Sequence, residues 1–313
     1  MDAQYHRRCN RLHSFVLIAG MVCILGFCGY TLAKTTGLII ALVAAVGIVV
    51  ATGRASASMV LNMYKAVPIQ RQQAPGLVDL YDSLVERSTL EYRPEFYYIP
   101  SQMMNAFATG RGDQVAVAVT DGLIRNLNAR EMAGVLAHEL SHVMHDDVFV
   151  MTLADAFSRV TSFIGQAGIW ILILSLPAYF AGYNFPWFAG ILFLIAPSVT
   201  VLLQLALSRS REYDADESGA RLTGDPIGLA MALKKIEHRQ GGWMERILLP
   251  GRKDPHPAAL RTHPPTQERI DILKKMAGID PSIKLPVDVG LAAMPRPVRI
   301  IHAPRWHMTG LWY

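Results

Sequence analysis

Long stretches without a charged side chain constrain this chain more than any other feature of its sequence. Three runs contain no Asp, Glu, Lys or Arg: 14–33, 35–53 and 160–208. An apolar run of 18 or more residues predicts a membrane-spanning helix, because only a helix satisfies its own backbone hydrogen bonds in lipid. The third run has 49 residues. At about 1.5 Å per residue it can cross a ~30 Å hydrocarbon core twice. We therefore expect four spans in two hairpins, with the second hairpin turning near 181–186.

Outside those runs the chain has the composition of a soluble domain. The remaining 225 residues hold all 55 charges, about 24%, which matches soluble proteins. The second hairpin divides this domain into two parts. The expected order is a basic segment 1–13, a first hairpin 14–53, a first domain part 54–159, a second hairpin 160–208, a second domain part 209–280 and a tail 281–313.

The positions of the cations predict the orientation in the membrane. The chain has a formal net charge of +5. The basic residues flank one side of the expected spans: Arg7, Arg8, Arg11, Arg54, Lys65, Arg71, Arg159, Arg209 and Arg211. Lys34 is the only charge in the opposite loops. The positive-inside rule then places both termini and the soluble domain in the cytoplasm, and it accounts for the basic excess without a nucleic-acid partner.

Two other features of the N-terminal region carry less information. Residues 1–33 have the basic start and apolar core of a signal peptide, but this core exceeds the usual 7 to 15 residues and a second span follows at once. Three cysteines, at positions 9, 23 and 28, are an odd number without metal-ligand spacing. They predict no disulfide framework.

Periodicity predicts a mainly helical α+β domain with a small antiparallel sheet. Residues 74–90 have an amphipathic helical pattern, and 96–99 and 115–119 have strand patterns that flank a turn-rich segment. A further helix begins after Asn128, whose Glu131 partner completes a capping-box signature. A short helix is expected over 265–276.

The capped helix carries the sequence His138-Glu139-Leu140-Ser141-His142, which matches the H-E-x-x-H pattern. Residues four apart share a helix face, so both imidazoles converge on one metal while Glu139 faces its open side. Two histidines, one further ligand and a water molecule suit hydrolysis at zinc. The alternative is a pair of structural histidines, which predicts no third ligand.

Two positions compete for that third ligand. His145 lies on the same helix face, but one straight helix rarely wraps three ligands around one ion. Glu212 and Asp216 share a face of a second helix, so one can bind the metal while the other orients an imidazole. The alternative for this acidic segment is a solvated helix start after a membrane span.

The HExxH segment, the segment Glu212-Tyr213-Asp214-Ala215-Asp216 and the four-span pattern resemble the HtpX-type membrane zinc metalloproteases and the related CAAX prenyl endopeptidases. The resemblance covers roughly residues 10 to 276 and implies a gluzincin-like domain. It implies that His138, His142 and Glu212 are the ligands of one Zn²⁺ per chain. It also implies that Asp216 contacts a ligand without binding the metal itself, and that Glu139 is the general base. It also implies Asn105 on the substrate backbone and His263 and Arg269 facing the oxyanion. The alternatives are that Asn105 is a turn residue, that His263 is a loop residue, and that Arg269 is a surface charge.

The expected function is a membrane-bound zinc endopeptidase. Its expected substrates are cytoplasmic loops or ends of membrane proteins, cut in an extended conformation along strand 115–119. By resemblance it would serve membrane-protein quality control and the stress response in a bacterial inner membrane. An inactive membrane scaffold, a CAAX-type prenyl-peptide protease and a metal transporter are the alternatives. Transport requires liganding groups at membrane depth, where the spans offer only polar groups such as Gln166, Asn184 and Gln204.

The two halves of the site also predict a break in the chain. Glu212 lies about 6 Å along a helix from the end of the last uncharged run, whereas His142 lies about 27 Å from the start of that run if the helix is straight. Both ligands reach one ion only if the helix breaks. We expect this break, or a segment along the membrane surface, between Asp146 and Arg159.

Overall fold

The computed structural model describes residues 3–53, 57–182, 187–239 and 265–279 of the 313-residue chain. Its helices are α1 Ala3–Gly53, α2 Ala57–Met63, α3 Pro75–Arg87, α4 Asp121–Asn126, α5 Ala129–Met144, α6 Asp147–Phe180, α7 Trp187–Thr223, α8 Pro226–Arg239 and α9 Thr266–Met276. Its strands are β1 Val67–Pro68, β2 Glu95–Ile99, β3 Ala106–Thr109 and β4 Ala116–Thr120. A short 3₁₀ helix lies at Gly112–Gln114.

The described residues form two compact units. A helical unit contains 3–53, 149–182 and 187–211, and a mixed α/β unit contains 57–148, 212–239 and 265–279. Three helices of the described chain are long and apolar enough to cross a membrane: Leu12–Thr52, Asp147–Phe180 and Trp187–Thr223. The sequence predicted four spans. The two counts differ because the helix Leu12–Thr52 contains both uncharged runs of the first expected hairpin.

The first of these helices is not continuous. Ala33 and Lys34 have non-helical backbone angles, with φ of 53° at Lys34. Gly29 and Gly37 approach so closely that a Cβ on either one would collide with the backbone of the other. Buried side chains from both segments, among them Met21 and Ala41, belong to one apolar cluster. The helix therefore consists of two segments that pack against each other. The turn expected at 181–186 has Gly182 at φ 91°, and its other residues from 183 lie outside the described residues.

The sheet of the mixed unit has the order β1-β2-β4-β3. β3 and β4 pair antiparallel, as do β1 and β2, but β2 and β4 pair parallel. The expectation of an antiparallel sheet was therefore wrong for the central pair. After β2 the chain crosses to the outer edge as β3 and returns as β4, so β2 and β4 run in the same direction. Gly110, with φ 91°, makes the return turn.

This arrangement corrects the expected substrate strand. β4, which contains all but the first residue of the segment 115–119, is paired on both sides and has no free edge. β3 lies at the end of the sheet, within the segment interpreted as turns from its Asn, Gly and Asp content. Among the described strands, β3 is therefore the edge next to β4 that can receive another strand.

Two helical layers cover the sheet. On one face, Phe96, Val117 and Val119 pack with α3 and α5 in the largest apolar cluster. On the other face, Phe107 and Ala118 pack with α2. The apolar stripe of α3 and the capped start of α5 are those predicted from periodicity.

The expected break occurs at the start of its interval. α5 ends at Met144, and Asp146 has φ 56°, a left-handed conformation that Asp adopts more readily than most residues. α6 then runs from Asp147 to Phe180 as one helix. The remainder of the interval, up to Arg159, is therefore helical.

Candidate metal centre

The helix that carries both histidines is fixed at its N-terminus. The Asn128 side chain accepts a hydrogen bond from the Glu131 N–H, and the Glu131 carboxylate accepts one from the Asn128 N–H, each at 2.9 Å. The ammonium of Lys235, on α8, lies 2.8 Å from the same carboxylate. Glu131 is fully buried, so this cluster attaches the first turn of α5 to α8.

A glycine brings the second ligand helix close to α5. A Cβ added at Gly219 would lie 2.9 Å from the backbone N of His138, tighter than packed atoms allow. Gly219 lies seven residues after Glu212, on the same face of α7. Its missing side chain lets α7 approach the backbone of α5 at the histidine. Glu212 and Asp216 are consequently both buried beside the two imidazoles.

Three ligand side chains converge at this crossing. The Nε2 atoms of His138 and His142 are 3.2 Å apart. Glu212 places Oε2 3.5 Å from Nε2 of His138 and Oε1 3.7 Å from Nε2 of His142. Zinc ligands at about 2.0–2.1 Å in tetrahedral geometry are roughly 3.3 Å apart, so the triangle has the size of one face of a zinc site. These three side chains are the described group that could hold a metal ion.

The outer nitrogens of both rings face carboxylates. Nδ1 of His138 lies 3.0 Å from Asp216, and Nδ1 of His142 lies 3.0 Å from Asp147. A carboxylate favours a proton on the nitrogen it faces, so Nδ1 carries the N–H of each neutral ring. The Nε2 lone pairs then point at each other and at the Glu212 carboxylate. Such an electron-rich triangle requires a cation, which fits a divalent metal.

In the absence of a metal, protons supply that positive charge. Burial opposes the charged imidazole, but hydrogen bonds to Asp216 and Glu212 outweigh it and raise the pKa of His138 to about 10. Burial likewise opposes charge on His142, and its hydrogen bond to Asp147 raises that pKa as well. The donor set thus attracts cations strongly enough to retain protons against burial.

Arg269, on α9, lies behind the ligands. Its Nε and Nη2 donate to the two oxygens of Asp216 at 2.7 and 2.6 Å, and its Nη1 lies 3.0 Å from Glu212 Oε2. Burial opposes its charge, but the carboxylates of Asp216, Glu212 and Glu139 raise the pKa of Arg269 further above its usual range. The guanidinium is 4% exposed, so it is an internal charge and not a surface one.

Four other residues were predicted or considered for this site. Glu139 is partly buried on α5 between the two ligand positions, as the HExxH spacing requires. Asn105 immediately precedes β3, at the sheet edge described above. His263 lies outside the described residues. His145 ends α5 as its C-cap and does not belong to the converging group.

Backbone hydrogen bonds fix Asn105 in place. Its N–H donates to the Thr120 hydroxyl at 2.9 Å, and its carbonyl accepts the Thr120 N–H at 3.0 Å. Both backbone groups are therefore engaged, and the amide side chain is the group that Asn105 can offer to a ligand.

Three supporting residues were missed by sequence reasoning. Asp147 faces His142, Lys235 holds Glu131 and Thr120 holds Asn105. Only Asp147 left a signal in the sequence: it is an acidic residue directly after the ligand helix, beside a second one at Asp146. The other two contacts join residues more than a dozen positions apart, which no local pattern shows.

Comparisons with known proteins show the family of this chain. The model of "Peptidase family M48" matches residues 71–277, about two thirds of the chain. A "Protease HtpX homolog" of Salinibacter ruber is 36% identical over 286 residues, which covers 86% of this chain and 99% of that protein. A "Protease HtpX homolog" of Thermococcus sibiricus is 36% identical over 283 residues, with 85% and 96% covered. Among solved structures, the crystal structure of S. mikatae Ste24p aligns with 86% of this chain and 66% of that chain, at a TM-score of 0.46 and 19% identity. The matched family segment contains the three converging side chains, and the chain is a metalloprotease belonging to peptidase family M48.

Proposed function

We propose that this protein is a membrane-bound zinc endopeptidase that cleaves cytoplasmic loops or ends of membrane proteins. The observation that carries the proposal is the triangle of His138, His142 and Glu212, whose lone pairs and charge converge at the spacing of zinc ligands. Membrane-protein quality control in a bacterial inner membrane is the proposed setting, on the strength of the family resemblance.

Each residue has a proposed role in peptide hydrolysis. A zinc ion bound at the triangle would lower the pKa of a water molecule towards 7 and polarise the scissile carbonyl. Glu139 accepts the proton of the attacking water and passes it to the leaving amine. Asp216 and Arg269 orient and neutralise the ligands His138 and Glu212. The direct oxyanion contact expected of Arg269 is therefore assigned to His263 alone, on the strength of the family resemblance.

The free edge of β3 provides the proposed binding surface for substrate. An extended peptide can add to a sheet edge through backbone hydrogen bonds, which tolerate many side chains. Asn105, at the start of this edge, would contact the peptide backbone through its amide. This mode requires an unfolded segment, which suits loops and ends of membrane proteins.

Bound zinc tests the proposal most directly. Elemental analysis of detergent-purified protein should give one zinc per chain for the wild type and for His145→Ala, but none for Glu212→Ala. His145 is a matched control because it lies near the site without belonging to the triangle. If Glu212→Ala keeps its metal, the ligand assignment is wrong. If the wild type binds no zinc, the zinc chemistry must be withdrawn.

A second variant separates an enzyme from an inactive scaffold. Glu139→Ala removes the base and no ligand, so it should keep its zinc while it loses proteolysis of a membrane-protein substrate. Equal proteolysis by Glu139→Ala and the wild type would refute the role of Glu139. Comparable cleavage of soluble unfolded chains and membrane substrates would refute the proposed substrate class.

Four spans with cytoplasmic ends complete the proposal. At about 1.5 Å per residue, the 41 residues of Leu12–Thr52 extend to roughly 60 Å, twice the hydrocarbon core. The interruption at Ala33 and Lys34 supports a hairpin that returns to the same side. In a variant without native cysteines, Lys34→Cys should react with an impermeant maleimide from outside intact cells, and Lys65→Cys should not. Labelling of Lys65→Cys but not of Lys34→Cys would show that the chain has the opposite orientation.

A further inference from the structure

Asp147 stands between the ligand helix and the next helix. It is the first residue of α6 and is fully buried. Its Oδ2 lies 3.0 Å from Nδ1 of His142. The left-handed turn at Asp146 makes this contact possible, because it ends α5 and redirects the chain so that the start of α6 faces the last turn of α5. Neither the HExxH segment nor the segment from Glu212 to Asp216 includes this residue.

We propose that Asp147 is a positioning residue of the metal centre, which holds His142 in the tautomer and ring orientation that direct Nε2 at the metal. The inference rests on the proposed zinc site and extends it to a residue outside the ligand motifs. A carboxylate on the outer nitrogen of a ligand imidazole fixes the tautomer and raises the basicity of the coordinating nitrogen. Without it, the ring can rotate about its side-chain torsions and present either nitrogen.

The other imidazole also has a buried carboxylate beside its outer nitrogen. Asp216 faces Nδ1 of His138 at the same 3.0 Å distance, and it comes from α7, on another side of the site. Each histidine therefore has its own buried carboxylate, and the two rings stand nearly perpendicular, with an interplanar angle of 88°. Two independent carboxylates at one distance indicate a shared role in orienting the ligands.

The location of Asp147 suits a buried negative charge. An unpaired carboxylate is costly to bury. At the first position of a helix, however, the free backbone N–H groups and the helix dipole favour negative charge. α6 is 34 residues long, and Asp147 is the acidic residue of its first turn.

Two neighbouring aspartates allow a matched test. Asp147→Asn and Asp146→Asn each remove one negative charge from the same turn, but Asp146 is exposed. Asn also tolerates the left-handed conformation at 146. Asp147→Ala additionally removes the acceptor. Loss of such a partner weakens metal affinity by about 10- to 100-fold. We expect roughly a tenfold rise in zinc Kd for Asp147→Asn, towards a hundredfold for Asp147→Ala, and no change for Asp146→Asn.

The measurements use the full-length protein in detergent. Zinc Kd is obtained by competition with a chromophoric chelator. The visible absorption of the cobalt-loaded protein reports ligand geometry, and it should shift for both Asp147 variants but not for Asp146→Asn. Far-UV circular dichroism of the zinc-free proteins serves as the folding control and should be unchanged in both asparagine variants, although loss of the buried contact to His142 lowers the melting temperature of Asp147→Asn.

Three outcomes would overturn the inference: an unchanged zinc Kd in Asp147→Asn, an equal loss in Asp146→Asn, or an unchanged cobalt absorption spectrum in Asp147→Asn, which would mark a purely structural role. Failure here differs from failure of the proposed function. In the first case the wild type still binds one zinc and Glu212→Ala loses it, whereas in the second the wild type binds none.

Discussion

The buried pair of Glu131 and Lys235 should make a large contribution to the stability of the mixed unit. Lys235→Met keeps most of the side-chain volume but leaves the Glu131 carboxylate, which has no exposed surface, with the Asn128 N–H as its remaining described donor. Removal of one partner of a buried ion pair costs about 3–5 kcal/mol. The Lys235 side chain is 21% exposed, so we expect the lower end, about 3 kcal/mol. At about 2–4 °C per kcal/mol, the melting temperature should fall by roughly 6–12 °C.

The chain contains a matched control for this experiment. Arg130 and Asp225 also connect the first turn of α5 with the start of α8, with 2.7 Å between Nη2 and Oδ1. The Arg130 side chain is 56% exposed. An exposed pair contributes about 0–1 kcal/mol, so Arg130→Met should lower the melting temperature by only a few degrees. The double variant Glu131→Gln with Lys235→Met leaves no charge in the cluster and should recover most of the loss.

Scanning calorimetry of the zinc-free proteins provides the measurement, because bound zinc would raise the melting temperature by mass action. Equal shifts for Lys235→Met and Arg130→Met would refute the reasoning, since burial would then make no difference. A double variant no more stable than Lys235→Met would also refute it, because the cost would not come from an uncompensated carboxylate.

Three further predictions follow from the site. Thr120→Val removes the hydroxyl that accepts the Asn105 N–H, so KM for a peptide substrate should rise several-fold with little change in kcat or bound zinc. An unchanged KM would show that Thr120 has no part in substrate binding. Gly219→Ala places a Cβ against the His138 backbone and should weaken zinc binding several-fold, whereas Ser218→Ala should not; equal Kd values would show that α7 adjusts without cost. His138 is protonated below its pKa of about 10 in the metal-free protein, and the raised pKa of His142 lets a second proton compete with zinc as the pH falls. Zinc affinity should therefore rise at least tenfold per pH unit from 6 to 8; a flat profile would contradict this.

The sequence predicted those features that depend on local rules. Uncharged runs identify apolar helices because the cost of charge in lipid applies residue by residue. The capping box at Asn128 and Glu131 and the helical spacing of His138 and His142 are likewise set within a single turn. The position of β3 was missed because Gly110 and its polar neighbours dominate the segment, whereas pairing with β4 decides that Ala106–Thr109 is a strand. Strand pairing depends on context more than helix formation does.

Arg269 shows why residue roles are harder to predict than ligands. A guanidinium is equally suited to stabilise an oxyanion or to neutralise buried carboxylates, and the sequence pattern is the same in both cases. The distances distinguish them: two donors bind Asp216 and a third reaches Glu212, so most of the fork is already committed. A zinc ligand is different, because coordination requires a fixed donor type at a fixed spacing and the motif therefore records it. Residues that hold the ligands in place, such as Arg269 and Asp147, can approach from any element of the fold. Their roles follow from the three-dimensional contacts, and mutations at these positions are the sharper test of how the site works.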